Sequence, residues 1–240
     1  MERFIKTVLI TGGTRGLGRS LTYAFLKQGY SVAVNYLHSE KEARAIADED
    51  GKRVLIVKAD VGDTGQVREM IDRIGMSFGR LDVVINNAGI TKDSLLIKQT
   101  EEEWDAILKT NLTGCFHTIR AAVPLMIRSG GGHIMNISSY SGVKGKTGQA
   151  AYSAAKAALI GLSLSAAREL AEQNIRVNAV LPGYMMTDMG SKALKAAERA
   201  ETESIMHSLS DTSDVARCIV SLSEMVYITG QIITLDSRII

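Results

Sequence analysis

The feature that most constrains this 240-residue chain is an alternation along its length. Short β-branched and apolar runs occur at Thr7 to Thr11, Ser31 to Asn35, Arg53 to Lys58, Asp82 to Asn86, His133 to Ser138, Arg176 to Leu181 and Gln231 to Leu235. Between them lie longer stretches with helical character, near 17–28, 39–50, 64–78, 101–127, 149–173 and 213–224. Strands that are apolar throughout must be covered on both faces, and helices between consecutive strands supply both covers. The pattern predicts an α/β fold, a doubly wound, parallel, seven-stranded sheet of Rossmann type with right-handed crossovers. No repeat, low-complexity tract or linker interrupts it, so residues 1–240 are expected to form a single domain. Thr100 followed by Glu101 to Glu103 reads as a helix start, a capping hydroxyl and then acids where the helix dipole favours them. With only Pro124 and Pro182 as prolines, the long helices are expected to run unbroken. The stretch from Gly190 to His207 reads as a helical excursion able to act as a lid.

Composition excludes several functions. Net charge is +2 with Lys and Arg dispersed, which gives no electrostatic reason to expect nucleic acid or a membrane surface as partner. No apolar run approaches the roughly 18 residues of a membrane span. The two cysteines, Cys115 and Cys218, form no disulfide framework and lack metal or redox spacing, so a reduced, cytoplasmic setting is expected. Cys115 and His117, two apart on a helix, face different directions, which argues against a shared metal. His133, opening a strand, is expected to cap the sheet edge, and Trp104 and the methionines to fill core or interface.

The first strand runs into Thr11-Gly12-Gly13-Thr14-Arg15-Gly16-Leu17-Gly18, inside which a helix begins. Glycines here let the backbone turn sharply and approach a pyrophosphate at the helix N-terminus. A tight strand-to-helix connection is the plainer reading, but the position after the first strand is where a dinucleotide fold requires this turn. The second strand closes at Asn35, about twenty residues on, where an NAD-preferring site places an acid for the ribose 2′-hydroxyl. Asn35 and Tyr36 are not acids, and Arg15, His38 and Ser39 offer donors and positive charge. NADP(H) is therefore favoured over NAD(H).

Tyr152 and Lys156, four apart on a helix, share one face. A phenol is a poor acid or base at neutral pH unless a nearby cation stabilises its phenolate, and Lys156 can supply that cation. An ordinary surface pair has the same spacing. Ser139, thirteen residues before Tyr152, ends the fifth strand, at the carboxyl edge where open α/β sheets bind ligands.

With the glycine loop, Asn86-Asn87-Ala88-Gly89, Asn111, Ser139, Tyr152 and Lys156 in order, residues 5 to 236 resemble the short-chain dehydrogenase/reductase family. NNAGITKDSLLIKQTEEEW (Asn86 to Trp104) and PGYMMTDM (Pro182 to Met189) look like its β-ketoacyl-acyl-carrier-protein reductase branch. The resemblance implies NADPH-dependent reduction of a 3-oxoacyl thioester, on acyl carrier protein or coenzyme A, by a homotetramer or homodimer. It implies Tyr152 as general acid, Ser139 as hydrogen-bond partner of the substrate carbonyl, Lys156 on the nicotinamide ribose and Asn111 holding a water. It assigns cofactor contacts to Gly12, Thr14, Arg15, Gly16, Leu17, Gly18, Asn35, Tyr36, His38, Ser39, Asp60, Val61, Asn87, Ala88, Gly89, Tyr152, Lys156, Pro182, Gly183 and Thr187. For Asn87, a turn asparagine tying strands together is an equal reading. Another carbonyl or alcohol substrate, or a catalytically silent NADP-binding regulator, are the alternatives; a binding module has no need of Tyr152. Two departures stand out. Met206 to Asp214 lacks the Pro-x-x-Arg segment of most relatives, and the usual Asp-Gly-Gly after the last strand is Asp236-Ser237-Arg238. Two arginines on which this branch docks its acidic carrier align with Gly130 and Gln173, which weakens that footprint beside the active-site entrance; Lys92, Arg128 and Arg168 lie near in sequence.

Overall fold

The computed structural model describes residues 5–187 and 194–239. In chain order the strands are β1 (Thr7–Ile10), β2 (Ser31–Tyr36), β3 (Val54–Lys58), β4 (Val83–Asn86), β5 (Gly132–Ile137), β6 (Ile175–Pro182) and β7 (Ile232–Leu235). The helices are α1 (Gly16–Lys27), α2 (Glu40–Glu49), α3 (Thr64–Phe78), α4 (Glu101–Leu108), α5 (Gly114–Arg128), α6 (Ser141–Lys144), α7 (Ala150–Leu170), α8 (Leu194–Glu203) and α9 (Thr212–Glu224). Among the described residues the strands form one parallel sheet in the order β3-β2-β1-β4-β5-β6-β7. Strand order reverses between β1 and β4, which opens a crevice at their carboxyl ends.

Each strand feeds two cores because successive side chains point to opposite faces. Val8, Ile10, Val32 and Val34 pack with Leu21 and Phe25 of α1 and Ile219 of α9 on one face. Leu9, Ala33 and Val84 pack with Val67 and Met70 of α3 and Leu125 of α5 on the other. Helix starts follow the capping rule: the Thr100 hydroxyl accepts from Glu103 N at 3.2 Å, and Asp63 and Asp211 cap α3 and α9.

Three expectations need correction. The helical stretch 101–127 is interrupted: Lys109–Thr113 is a π-turn, closed by Gly114 N donating to Lys109 O, between α4 and α5. Within α5 itself the helix runs unbroken through Pro124, whose missing N–H withdraws one bond from the ladder. The helix spanning Ala150–Gln173 is long and apolar enough, by length and composition, to cross a membrane. Its buried side chains, among them Ala155, Lys156, Leu159 and Ser163, instead pack inside the molecule. His133 does not cap an edge; it is fully buried in β5, flanked by β4 and β6. Of the stretch expected to act as a lid, residues 190–193 lie outside the described residues, and Leu194–Glu203 is helical. Met70, Met126 and Met135 fill the core, whereas Trp104 and Met76 are exposed.

The His133 ring nitrogen Nε2 accepts from Asn178 Nδ2 at 2.6 Å; Asn178 in turn donates to Ile228 O and accepts from Gln231 N. A protonated ring would set N–H against N–H. Burial, with the Arg176 charge adding to it, pushes the His133 pKa down to about 4. The unfolded chain takes up a proton near pH 6.5 and the folded chain only near 4, so stability falls as pH drops through that window and is unaffected above it. The full effect is about 3 kcal/mol. Urea unfolding at pH 7 and pH 4.5 should show most of that loss in the wild type and a clearly smaller loss in His133→Gln, which keeps an acceptor for Asn178 but cannot titrate.

Candidate active site

The glycine loop follows β1 at the crevice. Gly12 and Gly16 have φ of +62° and +51°, and a Cβ on Gly18 would come 2.1 Å from Gly12 O, so these positions exclude side chains. Side-chain donors take the loop carbonyls inward. Asn87 Nδ2 donates to Thr11 O and Gly12 O at 3.0 and 3.1 Å, and Thr22 Oγ1 donates to Gly13 O at 2.9 Å. Asn35 Oδ1 accepts from Gly12 N at 3.3 Å, and its Nδ2 donates to Ala59 O at 2.9 Å. The Asn35 side chain is thus buried and committed to the backbone, not turned outward to a ligand, while Asn87 does tie β1 to β4. The first turn of α1 has neither a side-chain cap nor an acidic residue. Its amides and dipole suit an anion.

The other assigned cofactor positions surround this crevice. Thr14 and Leu17 are buried, Arg15 is exposed at the N-cap of α1, and Thr187 closes over Gly16, where a Cβ would lie 3.1 Å from its Cγ2. Tyr36 is buried at the end of β2, His38 is exposed and Ser39 precedes α2. Asp60 accepts from Gly62 N at 2.8 Å and pairs with Lys109 at 3.3 Å, and Val61 packs on Gly114. Ala88 N donates to Thr11 Oγ1 at 3.0 Å. Pro182 ends β6 beside Leu235, and Gly183 N donates to Leu235 O at 2.9 Å.

At the neighbouring strand end, Ser138 and Ser139 follow β5 and split in role. Ser138 Oγ is buried and donates to Lys156 O at 2.7 Å; Ser139 Oγ accepts from Ser141 N at 3.2 Å and is half-buried. α6 lies so close to α7 that a Cβ on Gly142 would come 2.8 Å from the Lys156 backbone carbon. Lys156 is buried, donates from Nζ to Ile137 O at 2.7 Å and holds its charge 5.6 Å from the centroid of the Tyr152 ring. Asn111 comes from the π-turn: its Nδ2 donates to Ile90 O and Ile107 O, both at 2.9 Å, and its Oδ1 accepts from Ile90 N at 3.2 Å. A Cβ on Gly89 would lie 2.6 Å from Asn111 Oδ1 and 3.7 Å from Lys156 Nζ. Gly89, Asn111, Tyr152 and Lys156 therefore converge, and only glycine leaves space at the first position.

A family description, short chain dehydrogenase, matches residues 6–198. The chain belongs to the short-chain dehydrogenase family. A Staphylococcus aureus protein named 3-oxoacyl-acyl-carrier-protein reductase FabG is 43% identical, with 96% of each chain covered. A Thermotoga maritima protein of the same name is 38% identical, with 98% of each covered. Among solved structures, ElxO with NADP bound superposes with a TM-score of 0.89 at 33% identity, covering 97% of this chain and 98% of that one. A tyrosine-to-phenylalanine variant of ElxO with NADPH bound matches equally well.

For a short-chain dehydrogenase with this site, two supports were not read from sequence. Gln149 Nε2 donates to both Asp93 oxygens at 3.0 and 3.1 Å, and Ser141 Oγ donates to Gln149 Oε1 at 3.1 Å, which pins the loop after β4 to the start of α7. The only sequence signal for this lock is a polar residue just before a helix. Gly130 and Gln173 lie together, with Asn174 donating to Gly130 O at 2.9 Å, at the amino-terminal ends of β5 and β6. That is the edge opposite Ser139, not the entrance to the site within this chain.

Behind Asn111, Cys115 Sγ donates to Asn111 O at 3.4 Å, while His117 Nδ1 turns to Val61 O at 3.2 Å. Burial pushes the Cys115 thiol up to about 11, the Lys156 charge acting the other way, whereas Cys218 is exposed. A disulfide reagent at pH 8 should titrate one thiol per native chain and a second only after unfolding in guanidinium; two fast thiols in the native protein would contradict this placement.

Proposed function

We propose that the chain, acting over residues 1–240 as one NADP-binding domain, reduces a 3-oxoacyl thioester to the 3-hydroxyacyl thioester with NADPH. The observation that carries the reading is the convergence of Tyr152, Lys156 and Asn111 beside Gly89, in a chain whose relatives over nearly full length are named for this reduction. NADP fits the residues present. The glycine loop has no room for Cβ atoms where a pyrophosphate would approach, α1 offers uncapped amides, and no carboxylate ends β2 where a 2′-phosphate would lie. Arg15, His38 and Ser39 stand at that end to meet it, and Asp60 and Val61 flank the adenine side.

The chemistry supplied by bound NADPH is a hydride for the carbonyl carbon. As negative charge grows on the carbonyl oxygen, Tyr152 Oη transfers its proton there and Ser139 Oγ donates a hydrogen bond, both lowering the barrier by meeting charge as it develops. Lys156 would hold the ribose hydroxyls, and it keeps its ammonium beside the Tyr152 ring. Asn111, its side chain occupied by Ile90 and Ile107, keeps the π-turn open for a water that returns a proton to the relay. Pro182, Gly183 and Thr187 would hold the nicotinamide side. Tyr152→Phe should lower kcat by at least about a hundredfold and leave NADPH affinity nearly unchanged, since it removes the acid and spares the cradle. A variant keeping a tenth of wild-type activity would refute the assignment.

Assembly as a homotetramer or homodimer and a cytoplasmic setting belong to the same proposal. Ile97 and Tyr227 are 90% and 96% exposed, and Leu96, Phe116 and Val226 are exposed with them; subunit contacts would cover such apolar side chains. The carrier is the finer question. Positions 130 and 173 carry no arginine and lie with Arg128 at the opposite sheet edge, so within this chain Lys92, Arg128 and Arg168 act on an acidic carrier only by long-range attraction, which mostly alters association rate and is screened by salt. One 3-oxoacyl group assayed on coenzyme A and on acyl carrier protein at near-physiological salt should give kcat/KM values within about tenfold, a difference of roughly 1.4 kcal/mol. A preference for the carrier protein above a hundredfold would reveal a docking surface elsewhere.

A further inference from the structure

The two residues after Asp236 carry side chains where the family pattern has glycines, and both are engaged. Nε and Nη2 of Arg238 donate to Asp236 Oδ2 at 2.7 and 2.5 Å, and the Arg238 backbone N–H donates to Oδ1 at 3.1 Å. Only 9% and 6% of the two side chains is exposed, so each charge has given up water and depends on the other. The pair orients the guanidinium, whose Cζ lies 4.0 Å from the centroid of the Tyr140 ring, within reach of a cation–π attraction strengthened by desolvation.

Tyr140 stands between Ser139 and α6. Its carbonyl accepts from Val143 N and Lys144 N, both at 3.0 Å, and the next amide, Ser141 N, is the donor to Ser139 Oγ. Where the Tyr140 backbone sits therefore decides where the Ser139 hydroxyl points. The same turn also holds the other walls of the site. Ser237 O accepts from Ile205 N at 3.2 Å, the Ser237 and Ser204 hydroxyls share a hydrogen bond of 2.5 Å at the end of α8, and a Cβ on Gly183 would lie 3.2 Å from Asp236 Cγ. The geometry points to Arg238 as a positioning residue that, through Tyr140, holds Ser139 toward the substrate carbonyl. The Ser139 role rests on the function proposed above; the clamp on the loop does not.

Four variants separate this role from mere stability. Tyr140→Phe keeps the ring; Tyr140→Leu removes it and leaves the Asp236–Arg238 pair intact; Arg238→Lys keeps a charge without the guanidinium plane; Arg238→Met removes the charge. Two readouts are needed: kcat and KM for a 3-oxoacyl coenzyme A beside NADPH affinity from fluorescence, and amide hydrogen exchange of residues 139–144. Tyr140→Leu and the Arg238 variants should lower kcat at least about tenfold with NADPH affinity within about twofold, and speed exchange at 139–144 about tenfold while α3 is unchanged. Tyr140→Phe should stay within about twofold of wild type. Should Arg238→Met fail to fold because Asp236 is left unpaired, Tyr140→Leu decides alone. Wild-type exchange and kcat in Tyr140→Leu overturn the clamp. A wild-type protein inactive on the thioester overturns the functional reading instead, and exchange at 139–144 still tests the clamp.

Discussion

The glycine loop must present amides and hide carbonyls, and much of the crevice is built around that requirement. A loop of this tightness has more carbonyl groups than it can bond to itself, and any left toward an anion would repel it. Thr11, Gly12 and Gly13 have their oxygens taken by the side chains of Asn87 and Thr22, and Asn35 anchors the loop from the next strand. These bonds span β1, β2 and β4, so loop geometry and sheet order support each other. The Thr22 bond is buried and the others are part-buried; loss of the buried one would leave an unmet acceptor at a cost of about 1–3 kcal/mol, and loss of the others less.

A second requirement is the buried ammonium of Lys156. Desolvating a cation is costly, and the Ile137 carbonyl offsets part of that cost while holding Nζ between the Tyr152 ring and the space kept by Gly89. Ser138 and Gly142 complete the arrangement, one by bonding the Lys156 carbonyl and the other by letting α6 lie against α7. The serine that bonds backbone and the serine left half-buried are adjacent in sequence and differ only in which face of the strand end they occupy.

Sequence periodicity alone determined the sheet, its parallel sense and the elements that cover it, because apolar strands joined by amphipathic helices have few ways to bury themselves. It also placed the glycine loop and Ser139 at one edge, since loops after parallel strands share it, whereas the roles of Asn111, Tyr152 and Lys156 came from the family resemblance. Tertiary structure decided the rest. The π-turn at Asn111 depends on the Ile90 backbone, a residue on another segment, and no local propensity distinguishes it from a continuous helix. Asn35, in position for a ligand by spacing, was drawn inward because a buried amide takes the nearest backbone partners. His133, read as an edge residue, became a neutral buried ring because β6 brought Asn178 beside it. The Arg238–Tyr140 contact joins residues almost a hundred positions apart. Pairings of that span follow from which strands become neighbours, and a periodic pattern carries no record of which side chains then meet.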